Sequence, residues 1–365
     1  MPRHLLAVGT YTSRHPWGSR LGRGVRNLLS AGKPRSRGIY VLHFDSMGAH
    51  FDQPREAARL RNPAWLARHP ACDVLYAVSE SAPGTVTAFR LEEERLVQIG
   101  QVQSGGDAPC YLSVDPAGRN LCIANYASGS IGLVALQADG SLVGPADVRT
   151  RRGAGPDRAR QQRAHPHSIC FSPSGKWMLV PDLGADRVWV YACDPATGRI
   201  SDAPGTLASS PGAGPRHMVF HPRGQVALVV NELSNTLASY HFDEAAGRLE
   251  PVAEVSTIPG SFRGNSTAAD VRVHAPSGVA FVSNRGHDSI AAIAVDDAGR
   301  MQVVGITSTA GKTPRGITID PTDSYLLAAH QDSDELIALA ISSPLGALEV
   351  AARVTVPTCT CALFL

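Results

Sequence analysis

The chain has 365 residues, 43% of them hydrophobic, and a net charge of +2. That near-neutral balance excludes a nucleic-acid binder held by overall charge, and the sequence has no apolar run of the roughly eighteen residues a membrane-spanning helix needs. The 35 Gly and 26 Pro suit short strands joined by tight turns and argue against long helices.

The first residues lack a long apolar core followed by a small-residue cleavage site, so no signal peptide is expected. Residues 4–11 and 38–44 read as strands. Between them, residues 13–37 carry Arg14, Arg20, Arg23, Arg26, Lys33, Arg35 and Arg37 without an acidic residue. This stretch reads as a solvated basic loop insertion, since no strand pattern or aromatic interleaving accompanies the charge. Residues 54–60 are the one place that suggests a short amphipathic helix.

From Pro63 onward one phrase recurs six times, beginning at Pro63, Pro109, Pro166, Pro215, Ala269 and Pro314. Each copy opens on a Pro (Ala in the fifth), continues as a short apolar strand, turns at a second Pro, and returns as a hydrophobic strand ending in polar residues. In the copy at Pro109, Tyr111 to Val114 is a strand and Asp115-Pro116-Ala117-Gly118 a turn. Pro presets φ in that turn and Gly tolerates φ > 0. Leu121 to Ala124 and Ile131 to Leu136 follow as strands separated by a polar turn, and a fourth strand fits the connector. The second Pro recurs at spacings of 46, 57, 49, 54 and 45 residues, the size of a four-stranded antiparallel propeller blade. Residues 351–364 supply further strand. Joined to the N-terminal strands, they complete a seventh blade and remove the exposed edges of an open array. The expectation is therefore an all-β, seven-bladed β-propeller, a single domain over residues 1–365, closed by pairing of the N- and C-terminal strands.

In such a blade the innermost strand runs away from one face and the second strand returns to it. Two positions of every copy then lie near one mouth of the channel: the residue after the first Pro, and the residue seventeen after that Pro. The first reads Ala64, Cys110, His167, Arg216, Asp270 and Arg315; the second reads Glu80, Tyr126, Leu183, Glu232, Arg285 (one residue early) and Gln331. Charge concentrates at the ends of otherwise apolar strands. Arg216 and Arg285, with Arg315 beside them, suit a phosphate or carboxylate. Glu232 and Glu80 are bases or counter-ions to the arginines. His165 and His167, two apart, face one side of a strand. His217 is expected to face away from Arg216, and His221 to belong to a turn. Asn125, Asp182, Asn231 and Asn284 are expected to cap turns.

No metal site is expected, because HExxH, paired cysteines and calcium-type acidic clusters are all missing and an arginine-rich ring repels cations. No cofactor motif appears. Seven cysteines without CxxC pairs fit a reducing, cytoplasmic setting.

These motifs resemble the lactonase family of seven-bladed propellers, which includes bacterial 6-phosphogluconolactonases and the fungal carboxy-muconate lactonising enzyme. The resemblance is carried by GTYTS at Gly9, GIYVLHFD at Gly38, NPAWLARHP at Asn62, HPHSICFSPSGKWMLVPDLGADRV at His165, GPRHMVFHPRGQVALVVNELSNT at Gly214 and SNRGHDSI at Ser283. It covers nearly the whole chain and departs at the 13–37 insertion and at the shortened fifth copy. It implies active-site residues in the HPHS, GPRH, NEL and SNRGHDS phrases: His167 (or His165), Arg216, Glu232 and Arg285. By the ring reading, His165, Arg315, Tyr126 and Glu80 are further expected substrate contacts. The implied activity is lactone hydrolysis, with 6-phosphogluconolactone as the leading substrate and a small anionic lactone or sugar phosphate as ligand; closed sheet edges make a monomer the expectation. A muconate-type cycloisomerase, a lactonase for another sugar acid and a noncatalytic scaffold are the alternatives.

Overall fold

The computed structural model describes residues 3–13, 36–342 and 346–365. The basic insertion expected at 13–37 lies outside the described residues except for Ser13, Ser36 and Arg37. The described residues form seven antiparallel sheets in a ring. The first blade runs Leu66–Arg68, Val74–Ser79, Thr85–Glu92 and Arg95–Gln103, and the next five repeat that meander, each innermost strand leading. The seventh blade differs. Its innermost strand is Cys359–Phe364, which pairs with Arg3–Thr10, and Gly38–Asp45 follows outward. The two ends of the chain thus close one blade, as the sequence leads one to expect. The C-terminal stretch does two jobs: Ala347–Thr355 completes the sixth blade before Cys359–Phe364 enters the seventh.

One expectation fails. Residues 54–60 are not helical; Arg55–Arg59 is a strand paired with Gly38–Asp45. Its Arg-Glu-Ala-Ala-Arg sequence, exposed or half-exposed throughout, lies at the rim of a sheet, where ladder hydrogen bonds outweigh a weak helical pattern.

Buried apolar residues cluster at the seams between blades. Leu179, Val188 and Val190 of the third blade, for example, pack on Ala227, Val229 and Tyr240 of the fourth. Each such side chain taken from water stabilises the fold by about 1.5–3 kcal/mol, so every blade depends on both neighbours. The turn after the innermost strand carries a left-handed residue in five of the six copies. Gly118, Gly175, Gly224 and Gly278 supply it in four copies, and Asp323 does so in the sixth.

The innermost strands carry one feature that decides where side chains point. Opposite Asn231 and Val230 stand Pro215 and His217, leaving Arg216 as an extra residue between them. The same register shift leaves out Cys110 between Pro109 and Tyr111, Arg315 between Pro314 and Gly316, and Thr360 between Cys359 and Cys361. In the fifth blade two residues, Ala269 and Asp270, are left out. A β-bulge bends its strand and re-aims the extra side chain. The repeated bulge falls at the first position of the ring read from the sequence.

Candidate active site

Three arginines from three different elements converge on Glu232. This carboxylate directly follows the second strand of the fourth blade and is buried. Arg216 donates from Nε to Glu232 Oε2 at 2.9 Å. Arg285, at the end of the second strand of the fifth blade, reaches the same oxygen at 2.8 Å. Arg160 donates to Oε1 at 2.5 Å. It stands on the connector between the second and third blades, where the Asp157 carboxylate accepts the backbone N–H groups of Ala159 and Arg160. Three cations facing one carboxylate leave a positive excess, a setting for an anion.

Burial alone would raise the pKa of Glu232. Arg285, Arg160 and Arg216 outweigh it and hold the carboxyl well below its usual range. Burial and the neighbouring Arg285 pull Arg216 down to about 9, so it stays a cation at neutral pH. Burial opposes the charge on Arg160, but Glu232 and Tyr126 more than offset it and raise its pKa.

Arg216 has five N–H donors. One bonds Glu232; Nη1 reaches the Ala269 carbonyl at 2.5 Å and His217 Nε2 at 3.0 Å. Among the described residues Nη2 has no hydrogen-bond partner, so the outer edge of the guanidinium is left for a ligand.

His167 lies beside this cage and is buried. Its Nδ1 is 3.7 Å from Cys110 Sγ, and its Nε2 has no hydrogen bond among the described residues. Burial, then Arg216 and His217, hold its pKa well below the imidazole range, so it is neutral. His165 lies on the outer side of Tyr126: its ring stacks on Tyr126 with centroids 4.4 Å apart, and Nδ1 donates to the Tyr126 carbonyl at 2.7 Å. Tyr126 also meets His167 edge-on at 5.5 Å. On the other side of the mouth, Tyr11 donates to Glu80 at 2.7 Å, and Arg315 lies over the Tyr11 ring at 5.3 Å. The ring positions therefore do meet at one mouth: Arg216, Glu232, Arg285 and His167 at its centre, and Tyr126, His165, Arg315 and Glu80 around them. Leu183, the second-position residue of the third copy, is apolar and fully buried.

His217 does not face away from Arg216, as alternation would require. The bulge at Arg216 shifts the phase by one residue, so both side chains enter the channel. The His217 ring makes edge contacts with Trp65, Tyr111 and His167, centroids 5.1, 5.1 and 5.4 Å away. Those three come from the first three blades, so His217 spans the channel and floors the mouth.

Of the capping residues, Asp182 behaves as expected, its Oδ1 accepting the N–H groups of Gly184 and Ala185, and that of His165 besides. Asn125 and Asn284 instead donate to the incoming connectors, at the Ser104 and Thr257 carbonyls. Gly184 is required by this packing, since a Cβ there would stand 1.9 Å from the Arg163 carbonyl oxygen. Among the described residues no group of three His, Cys, Asp or Glu is placed to hold a metal ion.

Sequence reasoning missed Arg160, Tyr11 and the pair His217–Asp270. Arg160 sits outside the repeat, on a connector with no strand pattern. Tyr11 ends the N-terminal strand that fills the second place of the seventh blade, and treating that strand as one more copy would have found it.

The family model for the lactonase seven-bladed β-propeller matches residues 6–364. The chain is 32% identical to a 6-phosphogluconolactonase of Bacillus subtilis over 370 aligned positions, covering all of this chain and 99% of that one. Among solved structures, a periplasmic gluconolactonase of Pseudomonas aeruginosa is 30% identical, with a TM-score of 0.86 and 99% of each chain covered. A putative 6-phosphogluconolactonase of Bacteroides fragilis is 28% identical, also with a TM-score of 0.86, over all of this chain and 98% of that one.

Proposed function

The chain belongs to the seven-bladed β-propeller lactonase family and is a lactone-hydrolysing enzyme, and from that premise we propose that its substrate is 6-phosphogluconolactone, opened by water to 6-phosphogluconate at the mouth formed by Arg160, Arg216, Glu232, Arg285 and His167. The observation that carries this reading is the convergence of three arginines on one buried carboxylate, with the Nη2 edge of Arg216 left over. The excess positive charge suits a substrate carrying a phosphate. The Bacillus subtilis relative named for this activity supports it.

The contacts and charges favour the following division of roles. Glu232 has both carboxylate oxygens engaged by arginines, Oε1 by Arg160 and Oε2 by Arg216 and Arg285, which leaves it to orient the guanidinium groups. His167 is neutral, its Nε2 without a hydrogen bond among the described residues, and takes a proton from the attacking water. Arg216 and Arg285 donate to the carbonyl oxygen as it becomes an oxyanion, an interaction that strengthens along the reaction. Burial and then the field of Arg216 lower the proton affinity of His167, and the negative charge of bound substrate offsets the second of these. That raises the proton affinity of the imidazole when it is needed. The proton then passes to the ring oxygen that leaves as the C–O bond breaks. Tyr126, His165, Arg315 and Glu80 shape the surrounding wall.

The Pseudomonas aeruginosa neighbour is named for the unphosphorylated lactone, so the test compares the two. Acid release is titrated after adding fresh 6-phosphogluconolactone or gluconolactone to purified protein. A kcat/KM at least about tenfold higher for the phosphorylated lactone supports the proposal. Equal values, or a preference for gluconolactone, would assign the enzyme to another sugar lactone.

A further inference from the structure

We propose that His217 and Asp270 are positioning residues: they form a hydrogen-bonded relay that fixes the His217 tautomer and thereby keeps the outer edge of Arg216 aimed into the mouth. The inference rests on the reading in which Arg216 meets the substrate.

The tautomer follows from donor and acceptor counting. A guanidinium donates and never accepts. With Arg216 Nη1 3.0 Å from His217 Nε2, that ring nitrogen must be the acceptor and carries no proton. The proton is then on Nδ1, which donates to Asp270 Oδ1 at 2.8 Å. Asp270 is fully buried and itself fixed. Its Oδ1 also accepts from Arg272 and from the Val271 N–H, at 2.8 and 2.9 Å, and its Oδ2 accepts the Ile317 N–H at 3.0 Å. One carboxylate therefore ties the fourth, fifth and sixth blades together at the channel. A carboxylate in this place selects the imidazole tautomer that a partner needs.

The ring has no freedom to choose otherwise. Trp65, Tyr111 and His167 stand edge-on around it. Burial and Arg216 lower its pKa to about 3 against the opposing pull of Asp270, so it stays neutral at physiological pH. Both N–H groups of Arg216 Nη1 are thus occupied, by the Ala269 carbonyl and by His217, while Nε is held by Glu232. Three fixed bonds leave the guanidinium no rotation, and only Nη2 faces the ligand. Without an acceptor at Nε2, one Nη1 hydrogen is stranded in a buried site and the guanidinium turns to satisfy it.

Two substitutions separate positioning from packing. His217→Gln can place an amide oxygen where Nε2 stood and keeps the acceptor for Arg216. His217→Asn can place an amide N–H where Nδ1 stood, keeping the bond to Asp270 and losing Arg216. With kcat, KM and the midpoint of thermal unfolding measured for each, His217→Asn is expected to lower kcat more than about tenfold, with a smaller change in KM, and His217→Gln to recover most of that loss. If His217→Asn matches wild type, or if His217→Gln is as impaired as His217→Asn while both fold cooperatively, the relay is overturned. A readout independent of turnover is the ring itself: long-range 15N–1H spectra of histidine-labelled protein are expected to show His217 protonated at Nδ1. Protonation at Nε2 would overturn the relay. Full turnover in Arg216→Ala would instead overturn the site reading, leaving the tautomer to be judged by the spectra.

Discussion

Glu232 is the residue whose role changes most between sequence and structure. Placed at a ring position, it is equally a base or a counter-ion. Surrounded by Arg285, Arg160 and Arg216, it is an anion held far from protonation. A pH profile follows. With Glu232 held well below the ordinary carboxylate range and His167 well below the ordinary imidazole range, kcat/KM, corrected for spontaneous hydrolysis and for ionisation of the substrate phosphate (pKa about 6), is expected to show no enzyme titration near the ordinary histidine pKa of about 6.5. An acid limb near the ordinary histidine pKa would show instead that His167 titrates in the free enzyme. Glu232→Gln leaves the buried Arg216 and the partly buried Arg160 and Arg285 without their carboxylate, and is expected to cost about 3–5 kcal/mol in urea unfolding at neutral pH. The sign of its pH dependence is fixed by a depressed folded-state pKa. The contribution of Glu232 is present above the unfolded carboxylate pKa and is lost as pH falls through the folded value. The gap between wild type and Glu232→Gln should therefore shrink below about pH 4; a gap that widens in acid contradicts the assignment.

At the scale of elements, the repeated bulge explains both what was legible and what was not. Arg216, His167, Glu232 and Arg285 could be found because they occupy fixed offsets within a repeated phrase. His217 could not, because a period-two pattern assigns it to the far side of the strand, and a one-residue bulge leaves no mark in hydrophobicity. Arg160 was hidden for another reason: its connector has no counterpart in the other copies. That connector is ordered by side chains. Asp157 holds the backbone at Ala159 and Arg160, and Gln161 donates to the Leu183 carbonyl and to Asp186. Asp157→Ala removes the turn that presents Arg160 while leaving every strand untouched. It is expected to raise KM several-fold, to about tenfold, with kcat little changed and the unfolding midpoint within a few degrees of wild type. An unchanged KM would mean that Arg160 needs no such support.

For the molecule as a whole, the closed ring was readable from six copies and two terminal strands, because a propeller must complete its last blade. What could not be read was how the C-terminal residues divide, since the short break after Thr355 separates strands belonging to different blades. The closure is also where the ring is open to attack. Cys359–Phe364 pairs with Arg3–Thr10 and packs near Leu6 and Val8. Deleting residues 358–365 would expose the edge of Arg3–Thr10 and unseat the seams on both sides. The truncated chain is expected to lose soluble yield or to unfold more than about 10 °C lower; an unchanged transition would show that the seventh blade is dispensable.

The central claim is that the cage around Glu232 is where lactone is opened. It is tested most directly by kcat/KM for 6-phosphogluconolactone in wild type, Arg216→Ala and Glu232→Gln, each verified as folded by circular dichroism. The account predicts a loss well over about tenfold in both variants. Rates equal to wild type in both would place the chemistry elsewhere on the propeller.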